Sequence, residues 1–355
     1  MARITSSSKN QSHDVSLGFE QKPWQAANSL AAHIDAADYK NGGAMQKDRK
    51  ISRTSLAYRK GSGLMYHGKA EEFLNSPDIR KYYGRVQLIF TSPPFPLNRK
   101  KKYGNLQNEQ YIQWLTRLAP RFRQLLTKDG SIVVEMGNAW VPGKPLMSTL
   151  ALRALLRFQQ AGRFNLCQEF IAYNPARLPS PAEWVNVQRI RVKDAYTHLW
   201  WMSPSVSPKA SNRRILVPYS ASMNELLAKR KYNSGKRPSE HHIGETSFLK
   251  NNGGAIPSNV LVFSNTSNGD SYQEYCRQKQ LPLHPARMPA GVAEFFINFL
   301  TTPGDIVLDP FAGSNTTGAV ASRLKRRWIA VEARKDYVDG SLGRFVQTGR
   351  RGEPS

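Results

Sequence analysis

The 355 residues have room for one large domain or two smaller ones, and 51 Lys and Arg against 26 Asp and Glu leave a formal charge of +25 with a pI near 10.2. Such an excess favours a nucleic-acid partner, because side chains that neutralise phosphates release condensed counterions. Two isolated cysteines, Cys167 and Cys276, argue against a disulfide scaffold or a zinc site, while the lack of a long apolar run and the polar Met1–His13 argue against a membrane span or signal peptide, so a prokaryotic cytoplasm is the expected compartment.

Residues 1–50 are rich in Ser, Gln, Asn, Ala and Lys, and are expected to form a loosely ordered extension with one short helix around Trp24–Ala37. A core-like pattern starts at Gly63. The run Val86–Phe90 predicts a buried strand that enters the turn Thr91-Ser-Pro-Pro-Phe95. After the basic loop Asn98-Arg-Lys-Lys-Lys102, apolar residues at Tyr111, Leu115, Leu118, Phe122 and Leu125 predict a helix over 107–126. A turn at Lys128-Asp-Gly130, a strand at Ser131–Glu135, a helix at Leu146–Gly162 and a strand at Leu166–Tyr173 follow. From 174 to 280 Pro, Gly, Asn and basic residues dominate, and no regular period persists. Order returns with a helix at Val292–Leu300, a strand at Asp305–Asp309, a helix at Asn315–Leu324 and a strand at Arg327–Val331. Strands alternating with helices on both sides of an irregular insert predict a doubly wound α/β sheet.

Two peptides carry the chemistry. The later one, Asp309-Pro-Phe-Ala-Gly-Ser-Asn-Thr-Thr317, joins a buried-type strand to a helix, and Gly313 lets backbone approach a ligand closely. Ligands of open α/β sheets lie beyond the carboxyl ends of the strands, where this loop would stand. Glu332, nineteen positions after Gly313, can accept hydrogen bonds from both hydroxyls of a ribose. Neither a G-x-G-x-x-G run nor a P-loop is present, so adenosine without phosphates fits better than a pyrophosphate. An ordinary βα turn whose acid caps the helix is the alternative.

The earlier peptide suits an amine. The exocyclic nitrogen of a nucleobase is a poor nucleophile because its lone pair is delocalised into the ring. Acceptors for both N–H bonds pull it toward tetrahedral geometry and localise that pair. Ser92 offers a hydroxyl oxygen, while Pro93 and Pro94 offer carbonyls, no N–H, and fixed φ angles. Oriented dipoles of this kind stabilise charge developing on the amine, and Phe95 supplies a flat face for an extruded base. The alternative is a plain strand-ending turn with Phe95 in the core.

Together the two peptides resemble motifs of the beta-class DNA amino-methyltransferases, in the N4-cytosine type found in restriction-modification systems. The resemblance covers roughly 63–345 and implies a Rossmann-like sheet, circularly permuted so that the catalytic motif precedes the cofactor motif. S-adenosyl-L-methionine is the implied cofactor, and no metal is needed for transfer from a sulfonium. Its implied binding residues are Asp309, Pro310, Phe311, Gly313, Ser314, Asn315, Thr316, Thr317 and Glu332. His284 and Pro285, in the peptide His284-Pro-Ala-Arg-Met-Pro289, are implied at the methionine end. Ser at position 92 is typical of cytosine-N4 enzymes; adenine-N6 enzymes usually carry Asp or Asn there, so adenine-N6 methylation is the nearest alternative, and a non-catalytic nucleic-acid-binding protein is the alternative of another class. Neither cysteine follows a proline, which removes the nucleophile of cytosine-C5 methylation.

Glu135 is a candidate catalytic residue, either as proton acceptor or as a charge orienting a backbone amide. Arg99, Lys100, Lys101 and Lys102 either clamp phosphates of double-stranded DNA or form a solvated loop. Arg189, Arg191 and Lys193 lie in a peptide that matches the cytosine-N4 subgroup and are expected to face DNA. The implied layout is an extension (1–50), a catalytic half (51–174), a target-recognition region (175–280), a cofactor half (281–345) and a tail (346–355). His241 and His242 read as surface residues. A monomer or homodimer is expected, with a restriction endonuclease as functional rather than physical partner. One departure stands out: family members often have Gly-Asp ahead of the catalytic strand, the Asp near the cofactor adenine, and here the peptide is Gly68-Lys69.

Overall fold

The computed structural model describes residues 54–95, 108–263 and 270–346. The 1–50 extension and the helix expected around Trp24–Ala37, the Arg99–Lys102 cations and nearly all of the 346–355 tail lie outside those residues.

A hairpin, β1 (Ser55–Lys60) and β2 (Gly63–His67), opens the fold around the two-residue loop Gly61-Ser62. Helix α1 (Ala70–Asn75) leads to β3 (Val86–Thr91), in which every side chain is buried, Gln87 and Thr91 included, as a central strand covered on both faces requires. Helix α2 (Asn108–Leu125), strand β4 (Leu126–Gly137), helix α3 (Leu150–Gly162) and strand β5 (Asn165–Tyr173) follow. The Lys128–Gly130 turn survives as a bulge: β4 slips register against β3 between Leu126 and Ser131.

The stretch expected to be one irregular insert is divided by the structure. Strand β6 (Tyr196–Ser203) runs antiparallel between β4 and β5, with Trp200 packed on one face of the sheet and Trp201 on the other. Between β6 and the edge strand β9 (Val260–Val262) lie helix α4 (Ala221–Lys229), which buries no residue, and a small hairpin of β7 (Gly235–Lys236) and β8 (His242–Ile243). Helix α5 (Ser271–Gln278) belongs with the C-terminal part: Asp270 caps it and accepts an ion pair from Arg344 at 3.1 Å.

The chain closes with α6 (Ala290–Leu300), β10 (Ile306–Asp309), α7 (Thr316–Arg323), β11 (Arg327–Glu332) and α8 (Lys335–Ser341). The nine-stranded sheet runs β1-β2-β11-β10-β3-β4-β6-β5-β9, parallel from β2 to β4. The last two long strands therefore insert between β2 and β3, which is the permuted order. One apolar layer joins the sheet to α1, α2 and α3; the other joins it to α6, α7 and α8. The carboxyl ends of β2, β11, β10 and β3 stand in a row on one rim.

Candidate active site

Asp309 ends β10 and knots the two key peptides together. Its Oδ1 accepts the Thr91 hydroxyl at 2.7 Å and the Phe311 amide at 3.1 Å, while Oδ2 accepts the Thr317 hydroxyl at 2.7 Å. Burial pushes this carboxyl up to about 6, against the pull of those three donors. Thr91 escaped the sequence reading. The available signal was a polar residue closing a buried strand directly before the Ser-Pro-Pro turn.

Glu332 ends β11 one strand away. Its two oxygens accept the amides of Gly313 at 2.9 Å and Arg334 at 2.8 Å, and burial pushes it up to about 7. Each oxygen keeps a lone pair for another donor. Gly313 adopts φ +51°, and a Cβ there would lie 2.8 Å from His284 Nε2, so only glycine lets the His284 peptide close on the loop. His284 meets Tyr337 edge-on at 4.7 Å. Arg344 braces the loop from behind through the Ser314 hydroxyl at 3.0 Å.

Ser92, directly after β3, hydrogen-bonds Glu135 of β4, and the Thr197 hydroxyl of β6 donates to the same carboxylate at 3.0 Å. Burial raises the Glu135 carboxyl above its ordinary value, while the Ser92 and Thr197 bonds and the Arg177 charge pull it down. Glu135 is not part of the cavity wall; its contact there is with Ser92, which is. Phe95 packs on the core with its ring against Gly137, where a Cβ would stand 3.2 Å from the ring.

One cavity of about 390 Å³ unites these parts. Ser92, Pro93, Pro94 and Phe95 line one end. Asp309, Pro310, Phe311, Gly313, Ser314, Thr316 and Thr317 form the wall beside them, and Glu332 and His284 line it too. Pro285 and Asn315 are not on the wall. Asn315 sits in the left-handed region and caps α7, accepting the Gly318 amide at 3.1 Å and donating to Tyr58 at 3.3 Å. The cavity also takes in Glu71, Tyr111 and Trp114, which sequence reasoning missed.

The expected DNA-facing cations part company. Arg189 is exposed, but Arg191 pairs with Asp194 at 3.4 Å, and Lys193 donates to the carbonyls of Pro175 and Arg177 at 2.9 and 3.3 Å. Two of the three brace their own loop. His241 and His242 are exposed, and among the described residues no His, Cys, Asp and Glu cluster is arranged for a metal and no helix is long and apolar enough to cross a membrane.

A family profile described as DNA methylase matches residues 86–342. The chain is 44% identical over 293 residues to the type II methyltransferase M.PvuII of Proteus hauseri, covering 82% of this chain and 85% of that protein. It is 26% identical over 292 residues to M.ScaI of Streptomyces caespitosus, covering 81% and 83%. The solved structure of the PvuII DNA methyltransferase, described as cytosine-N4-specific, superposes with a TM-score of 0.66 and 37% identity, over 83% of this chain and 90% of that one.

Proposed function

This chain belongs to the DNA methylase family, and from that premise we propose that it methylates the exocyclic N4 amine of a cytosine extruded from double-stranded DNA at a specific sequence. The observation that carries the reading is the single cavity shared by Ser92–Phe95 and the Asp309 loop. The cofactor we assign is S-adenosylmethionine, which supplies an electrophilic methyl on a sulfonium. The residues fit it: the cavity lies within the roughly 300–1,000 Å³ of small-molecule sites, and Glu332 presents acceptors suited to a ribose diol. Asp309 shapes the loop, and His284 closes it.

The chain's own residues prepare the amine. A Ser92 hydroxyl that donates its hydrogen bond to Glu135 turns only lone pairs toward the cavity, so it accepts an N–H and cannot compete as a donor. The Pro93 and Pro94 carbonyls accept the other N–H, and Phe95 holds the base plane. Ser92 takes the proton shed by the methylated amine as it passes its own to Glu135, whose raised affinity for protons suits that task.

Target recognition we assign to the 175–280 region, chiefly the exposed part between β6 and β9, with Arg189 and the 98–105 loop on phosphates. The biological role we assign is protection of host DNA, in a bacterial cytoplasm, from an endonuclease that cuts the same sequence. Transfer of labelled methyl from S-adenosylmethionine into mixed-sequence duplex DNA tests the activity. Incorporation by the wild type and its loss in Ser92→Ala are expected; no incorporation by the wild type would overturn the reading.

A further inference from the structure

The loop of residues 174–195 leaves the carboxyl end of β5 and returns to the start of β6, so it stands on the rim that holds Ser92. Its base reaches the reacting end of the cavity. Arg177 donates to the Tyr196 carbonyl at 3.2 Å, next to Thr197, and its charge acts on Glu135, the partner of Ser92. The loop is braced along its length. The Asn174 amide donates to the Ala195 carbonyl at 2.8 Å and the Asp194 amide to the Ser180 carbonyl at 2.9 Å. The Ile190 and Arg191 amides both donate to the Trp184 carbonyl, at 2.9 and 3.1 Å. The side chains reverse the usual division of a surface loop. Arg191 and Lys193 turn back onto Asp194 and onto the Pro175 and Arg177 carbonyls, while Val192 between them is 86% exposed and Ile190 59%. Leu178 and Val187 of the same loop are exposed as well. Single exposed apolar side chains are ordinary. A group of them held out by a braced loop beside a nucleobase site marks a surface that is covered in use. Charge chooses the partner: Arg189 is exposed on the same loop, and the chain carries +25.

We propose that Val192 is an apolar wedge that enters the duplex at the target and fills the gap left by the extruded cytosine, with Ile190 against the neighbouring base step and Arg189 on a flanking phosphate. An apolar side chain inserted at a base step offsets part of the unstacking that extrusion costs. Val192 thus acts on the extruded state of the base and leaves the transfer itself to Ser92 and its partners. This rests on the reading of the chain as a cytosine methyltransferase of double-stranded DNA.

The sequence methylated by the wild type is read from modified plasmid DNA and built into two short duplexes, one fully paired and one with adenine opposite the target cytosine. Single-turnover methyl transfer is then compared for the wild type, Val192→Ile, Val192→Ala and Val192→Asp. On the paired duplex Val192→Asp is expected to lose roughly tenfold or more in rate and Val192→Ala about three- to tenfold, with Val192→Ile close to the wild type. On the mispaired duplex, where extrusion is already cheap, each loss should shrink to about twofold. S-adenosylhomocysteine binding and Tm should not change, because the substituted side chain is exposed. A Val192→Asp rate equal to that of the wild type on the paired duplex would overturn the proposal, and so would an equal loss on both duplexes. A change in oligomeric state on sedimentation, with methyl transfer intact, would give the surface to a second copy of the chain instead. A wild type that methylates no cytosine in duplex DNA would overturn the reading beneath the proposal.

Discussion

At the residue scale, the carboxylates at the strand ends have distinct duties. Asp309 faces three protein donors and organises the loop; removing it as Asp309→Ala leaves two hydroxyls and an amide unpaired, at about 1–3 kcal/mol for each buried group. The expected outcome is a lowered Tm and weaker S-adenosylhomocysteine binding, read by thermal denaturation and calorimetry. Glu332 holds its carboxyl up to about 7 against an ordinary value of 4.5. A carboxyl raised by folding contributes stability that is fully present below 4.5 and is lost as pH rises through about 7. The wild type should therefore lose stability relative to Glu332→Gln over that window. Cofactor affinity should move the other way, because the ionised form is the better acceptor for ribose hydroxyls. Titrations at pH 6, 7 and 8 should show tightening in the wild type and a flat response in Glu332→Gln. Ser92→Ala should lower the methylation rate by about 10²–10³, by analogy with loss of one preorganised partner at a reacting centre, with cofactor binding unchanged.

At the element scale, β6 shows where sequence reading reached its limit. Strands β3 and β10 were legible because short, mostly apolar runs ended in Gly and Pro punctuation. The peptide Tyr196–Ser203 has a comparable β signal in its aromatics, but it stands among prolines and cations that made 174–280 read as one irregular stretch. Its place in the sheet is fixed by pairing with β4 and β5, contacts that no local pattern reveals. The consequence is testable: Trp200, 1% exposed, should cost about 3–5 kcal/mol as Trp200→Ala, visible as a large fall in Tm, whereas a separable insert would tolerate the change. The site was legible to the extent that it was local. The Ser92 and Asp309 peptides stand in the sequence as they stand in the cavity. Thr197, Glu71 and Trp114 join them from a neighbouring strand and two helices, and only the topology brings them there. Thr197 on β6 has a functional side as well: Thr197→Val removes a donor that lowers the Glu135 carboxyl, so the acid limb of the pH–rate profile should shift to higher pH.

At the scale of the whole molecule, the charge of +25 favours a polyanionic partner. A protein that neutralises six to ten phosphates loses affinity for DNA by roughly 10³–10⁵-fold between 50 and 200 mM salt. Binding to mixed-sequence duplex should fall that steeply, and cofactor binding, which involves no phosphate, should not. The permuted order places the exposed stretch between β6 and β9 after the catalytic turn and before the cofactor loop. The central claim is the identity of the methylated atom. Plasmid DNA methylated by this protein, digested to nucleosides and resolved by mass spectrometry, should contain N4-methylcytosine. N6-methyladenine without N4-methylcytosine would contradict the account.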